Sequence, residues 1–298
     1  MTNPILKKLG FSNNERVVVF HADDIGMCHA SVAAYADLWG NSPLSSAATM
    51  VPCAWFPETA RLLQTQGSTD MGVHLTLTSE WDGMRWGAIS TGDPATGLLD
   101  AEGYFYRDSA SVQKHAAIEA VKIELKAQIE RAKAAGIDIT HIDSHMGSIL
   151  HPRFLSLYVE LGFEFGVPAM VVRYTAEQLG WWGIGGESAE KIIQYTQQIE
   201  QRGMPVFDEI HGMPLGEKFE DDERLEYAKD ILDTIPAGLH YFIIHPSTDT
   251  PELRALAPDW RARVGDYRLF MSEEWREAVE ASGAKVIGMQ VLRDVIQG

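Results

Sequence analysis

Cysteine is nearly absent: Cys28 and Cys53 are the only two in 298 residues. That excludes a disulfide framework, and their spacing matches no metal-ligand pair, which suits a reducing compartment. Long apolar runs are missing too. No segment approaches the roughly 20 apolar residues that span a bilayer. Met1–Glu15, with Lys7, Lys8, Asn13, Asn14 and Glu15, has no unbroken apolar stretch of signal-peptide length. The expectation is a soluble, cytoplasmic protein with no membrane partner. Cations are scarce, since 25 Lys and Arg face 42 Asp and Glu for a net charge of −17. Phosphate backbones find no general attraction in such a chain, so nucleic acid is a poor partner. No GxGxxG or GxxxxGK[ST] follows a β-rich run, which removes the main support for dinucleotide and P-loop chemistry.

What is present is a regular alternation. Short β-rich apolar runs occur at Val17–Phe20, Ser45–Val51, Met71–Leu77, Ile139–His145, Val167–Arg173, Val206–His211, Leu239–His245 and Lys285–Val291, eight expected strands. A helix-like segment lies between each pair. The longest, Ser109–Ala135, carries Val112, Ile118, Val121, Leu125, Ile129 and Ala132 on one face and stops at Gly136. Strict strand–helix order implies parallel pairing with right-handed crossovers. Eight units suit a closed barrel better than an open α/β sheet, the alternative. The expected fold is therefore α/β: a single (β/α) barrel over residues 1–298, TIM-barrel-like with room for distortion. The 79–108 connection, with Trp81, Trp86, Tyr104, Phe105 and Tyr106, is too long for a simple loop. It belongs over the active-site rim or is a decorated surface loop.

The histidines gather at strand ends. His21-Ala22-Asp23-Asp24-Ile25-Gly26 follows the first strand, His74 lies in the third, His141-Ile142-Asp143-Ser144-His145 ends the fourth and His245-Pro246 ends the seventh. In a parallel barrel these ends share one rim. His141, Asp143 and His145 share one face of their strand because residues two apart do. One Asp and two His from separate strands form a divalent-metal set with open positions for water and substrate, and Asp24, His74 and His145 are the expected ligands. Asp23 is the candidate base and His245 the candidate acid. Neighbours in a regular strand point to opposite faces, so Asp23 and Asp24 enter one site only if the chain bends, and Gly26 makes that bend plausible. Arg173 is expected to bind a substrate carboxylate, to orient Asp23, or to form a structural ion pair. Asp208, Glu209 and His211 make a further polar strand end without an assigned role. Metal-dependent sugar isomerisation or aldol cleavage, and sugar binding without catalysis, remain alternatives.

These positions together resemble the YdjC-like carbohydrate deacetylases of the glycoside hydrolase/deacetylase superfamily. The resemblance rests on Ala22-Asp23-Asp24-Ile25-Gly26, Gly72-Val73-His74-Leu75-Thr76-Leu77, Thr140-His141-Ile142-Asp143-Ser144-His145, Arg173 and His245-Pro246, and covers most of the chain. It implies an often distorted (β/α) barrel that removes the acetyl group from an N-acetylated sugar or short oligosaccharide using Mg²⁺ or Zn²⁺. By position, Asp24, His74 and His145 look like its metal ligands, Asp23 like its base and His245 like its acid. Base rates and the family together make a homodimer the default oligomer. Two departures mark a divergent branch. His21 and Ile25 stand where the family usually has Asn and Phe, and Met146-Gly147-Ser148 replaces the usual further histidines.

Overall fold

The computed structural model describes residues 3–67, 69–181, 185–216 and 220–297. Among these, seven strands alternate with helices: β1 (Arg16–Ile25), β2 (Ser46–Thr49), β3 (Met71–Leu75), β4 (Ile139–Ser144), β5 (Glu209–Gly212), β6 (Gly238–Ile244) and β7 (Lys285–Val286). All pair in parallel, in the order β4-β3-β2-β1-β6-β5 with β7 on β1. The gap between β4 and β5 is bridged by the segment around 169–172, through Ile142 with Ala169 and Val172 with Phe207. The α/β barrel is thus present and distorted.

The alternation of β1 shows why the barrel is both closed and filled. Its even positions Val18, Phe20 and Ala22 pack under the helices, where Phe20 meets Phe242, Phe270 and Trp275 edge-on at 5.5 to 5.7 Å. Its odd positions Val17 and Val19 join a smaller inner core with Phe207, Leu239 and Tyr241. Burial on both faces is what a parallel strand requires, and it explains the unbroken apolar run Val17–Phe20. Ile5 and Leu6 from the helix Pro4–Lys8, with Met289 and Leu292 from the helix Met289–Gln297, plug the same inner core. His21 and Asp23 continue that inward face at the other end. The strand is apolar where it fills the barrel and polar where it reaches the mouth.

Three expectations change on contact with the structure. The run Val167–Arg173 forms isolated bridges rather than a strand, because its hydrogen bonds switch partner within a few residues: Met170 N–H donates to Ile142, while Arg173 N–H donates to Phe207. The last run shortens to Lys285–Val286 because β2 takes over the same edge of β1 from His21 onward. The expected helix Ser109–Ala135 is two, Ser109–His115 and Ile118–Ala134. Ala116 and Ala117 are extended there, and Ala117 N–H donates to Thr96 of the long connection while Arg153 donates to the Ala116 carbonyl.

Gly72 on β3 is the position where the fold makes room for the chemistry. A methyl group there would sit 2.5 Å from the His141 ring. Overpacking a tight core costs about 1–3 kcal/mol, so we expect Gly72→Ala to melt several degrees lower. An unchanged melting temperature would show that the His141 ring is not confined as described.

Candidate active site

Asp23 and Asp24 reach one site because the backbone turns between them. Asp24 is one of two described non-glycine residues with positive φ, at 64°, and the β1–β2 register shifts between Ala22 and Ile25. Left-handed backbone is costly outside glycine but tolerated by Asp, and it persists where the surroundings enforce it. Gly26 follows at φ 90°, with Thr49 and Thr59 so close that a Cβ would meet their hydroxyls at 3.2 and 3.0 Å. The other residue is Met146, at φ 51°, directly after His145. Conformational strain therefore sits beside both ends of the cluster.

Asp24 Oδ1 lies 3.3 Å from His74 Nε2 and 3.1 Å from His145 Nδ1, and its Oδ2 accepts from Arg263 Nη1 at 2.7 Å. Asp143 Oδ1 stands 2.8 Å from His74 Nδ1, fixing the ring so that Nε2 faces Asp24. Glu80 Oε2 lies 3.0 Å from His145 Nε2. Asp23 Oδ2 looks into the same space, 3.7 Å from His74 Nε2 and 3.9 Å from His245 Nε2. His245 is anchored through its backbone N–H, which donates to Asp266, while its buried Nδ1 has no hydrogen-bond partner among the described residues.

Behind Asp23 runs a buried hydrogen-bond chain. The Thr140 hydroxyl donates to Asp70 at 2.7 Å and so accepts from His141 Nδ1–H at 3.0 Å. This leaves His141 Nε2 as an acceptor, 2.8 Å from His21 Nε2, while His21 Nδ1 lies 2.7 Å from Asp23 Oδ1. Both nitrogens of His21 are thus engaged, one by Asp23 and one by His141. Burial and the neighbouring His21 hold His141 well below the usual histidine range, which matches its role as the neutral member. The His21 ring is stacked on Tyr241 at 4.8 Å.

Burial works against the charged form of every group here, and opposite charges overcome it. Arg263 and His145 hold the Asp24 carboxyl well below the usual range. His74 and His21 bring Asp143 to about 2. Glu80 and Asp24 push His145 up to about 9, and Asp143 and Asp23 keep His74 well above its ordinary value. Asp24, His74 and His145 bring three ligand atoms within 4.8 Å of one another. Two imidazoles and a carboxylate, with further carboxylates orienting them, suit a divalent ion, whose two charges take the place of the two imidazole protons.

The sequence-expected residues Asp23, Asp24, His74, His145 and His245 are brought together. Arg173 is not, because Asp208 and Glu200 take its guanidinium, so the structural ion pair is the role its geometry supports. Glu80 and Arg263 escaped the sequence reading: one lies on the long connection, and the other is 239 residues from the carboxylate that it pairs with. That connection is a wall of the site. Trp81 packs under Arg263, Trp86 faces His145, and both are buried.

Comparisons with known proteins bear on this arrangement. The YdjC-like protein family matches residues 17–281. A carbohydrate deacetylase of Thermus thermophilus is 33% identical over 275 residues, covering 92% of this chain and 93% of that protein. A chitooligosaccharide deacetylase of Yersinia enterocolitica is 25% identical over 216 residues, 65% of this chain and 80% of its own. The crystal structure of an Enterococcus faecalis V583 protein, described as acting in cellobiose-phosphate cleavage, superposes with a TM-score of 0.74 at 19% identity, over 93% of this chain and 98% of the other. That last likeness concerns the fold.

The protonated His74 and His145 give a direct test of the donor set. We expect Zn²⁺ uptake by chelator-stripped protein at pH 7 to release protons, seen as a calorimetric heat that varies with buffer ionisation enthalpy. Release should shrink as pH rises through about 9, where His145 loses its proton unaided. A buffer-independent heat would contradict the described protonation.

Proposed function

This chain belongs to the YdjC-like protein family, and on that premise we propose that it is a metal-dependent carbohydrate deacetylase. It hydrolyses the acetamide of an N-acetylated sugar or short oligosaccharide to acetate and a free amine. The observation that carries the reading is the pairing of two adjacent carboxylates in one site: Asp24 beside two histidines, and Asp23 with one oxygen engaged and the other directed at the same space. The names of the Thermus and Yersinia relatives support the substrate class.

Asp24, His74 and His145 are the residues that would hold a divalent ion, Mg²⁺ or Zn²⁺, which would polarise the amide carbonyl and make a water acidic. Asp23 would take the proton of the attacking water at Oδ2, since Oδ1 is bound to His21. The new C–O bond forms as the proton leaves. His245 Nε2, which faces the same carboxylate, gives a proton to the nitrogen as the C–N bond breaks. Arg263 and Asp143 hold Asp24 and His74 in place, and Trp81 and Trp86 keep water from this end of the site. An aldolase reading through a Schiff base would call for a lysine at a strand end, and the described groups that meet at the mouth are imidazoles, carboxylates and a guanidinium.

Acetate release from a panel of N-acetylated mono- and oligosaccharides tests the assignment. Asp23→Asn should lower the rate by about 10²–10⁴-fold, the usual contribution of a general base, while binding metal as the parent does. A variant that keeps the parent rate removes Asp23 from the role of base.

A further inference from the structure

A second set of donor atoms converges outside the mouth. Glu209 and His211 lie on β5 and His240 on β6, and Glu209 pairs with His240 in the ladder. Ile210, Leu239 and Tyr241 pack in the inner core, so strand alternation turns Glu209, His211 and His240 to the outer face of the sheet. His240 also stands five residues before His245, about 16 Å along the strand. This cluster is therefore separate from the catalytic one in both face and height.

Three atoms meet there. His211 Nε2 is 3.3 Å from Glu209 Oε2 and 3.4 Å from His240 Nδ1, and the last two are 3.7 Å apart. Ligands at Zn–N and Zn–O distances of about 2.0–2.2 Å in a tetrahedron stand about 3.3–3.6 Å from one another. As hydrogen bonds these separations are long, since N–H···O contacts centre near about 2.9–3.0 Å.

The proton count points the same way. His240 Nε2 lies 2.8 Å from the Pro236 carbonyl, which can only accept, so the proton is on Nε2 and Nδ1 presents a lone pair. Glu209 is a carboxylate, also an acceptor. Only His211 Nε2 has a proton to offer, and a linear hydrogen bond from it reaches one of the other two atoms at a time. The carbonyl held by His240 is the kind of outer support that metal-bound histidines carry. Arg173 offers no competing cation, being held by Asp208 and Glu200.

We propose that Glu209, His211 and His240 form a second, non-catalytic Zn²⁺ site with a fourth position open to water, pinning the short edge strand β5 to β6. The ion supplies a cross-link where the barrel closes through isolated bridges and β5 itself is only half-buried.

Metal-stripped full-length protein titrated with Zn²⁺ alone, with equivalents counted by elemental analysis after gel filtration, tests this. His211→Ala and the shape-conserving Glu209→Gln should each bind one equivalent fewer than the parent, or bind that equivalent at least about 100-fold more weakly. Folding is checked by circular dichroism, and His211→Ala should keep the parent's acetate release. Co²⁺ in place of Zn²⁺ should add a tetrahedral visible absorption that His211→Ala removes and His74→Ala leaves, which separates this site from the one at the mouth. Folded variants that retain every equivalent of the parent, with the parent's Co²⁺ spectrum, would overturn the proposal.

Discussion

Four carboxylates, Asp23, Asp24, Glu80 and Asp143, are driven together at the mouth of this barrel, and the rest of the structure answers to their charge. Removing carboxylates from water is expensive unless positive charge and hydrogen bonds replace it. Here Arg263, His74 and His145 provide both and His21 adds a hydrogen bond, each in contact with a particular carboxylate oxygen. The left-handed turn at Asp24 follows from the same need, since a straight strand would send one of the adjacent carboxylates out of the site. Its cost is carried by the sheet on either side, including the close packing of Gly26 against Thr49 and Thr59.

The same cluster links stability to chemistry. Groups paired so tightly are positioned before any substrate arrives, which is how preorganised sites lower a barrier. The chain from Asp23 through His21, His141 and Thr140 to Asp70 extends this order across the barrel interior, ending where Ser46 and the Gln290 backbone also donate to Asp70. Asp23 is thus held by one oxygen and left open at the other. A single-oxygen anchor suits a group that must exchange a proton without moving.

Strand–helix alternation and the histidines at strand ends made the barrel and most of its mouth legible in the sequence. Both signals are short-range: a pleat of period two says which residues share a face, and parallel pairing says which ends share a rim. Arg263 was not legible, because nothing in the local pattern of its helix distinguishes an arginine that meets Asp24 from one that meets water. Glu80 was hidden by the long connection, whose path depends on tertiary contacts such as those from Ile89 and Ser90 N–H to Glu124. The helix break at Ala116 and Ala117 has the same origin, for Ala is an excellent helix former and only the incoming Thr96 and Arg153 overrule it. The family resemblance, spread over several strand ends, carried the substrate class, which geometry by itself does not specify.

The most direct test of this account is anomalous diffraction at the zinc edge from crystals soaked in Zn²⁺. The account predicts a peak bounded by Asp24 Oδ1, His74 Nε2 and His145 Nδ1, about 2.0–2.2 Å from each. Crystals of enzyme that releases acetate under the same metal concentration, yet show no density between those three atoms, would contradict it.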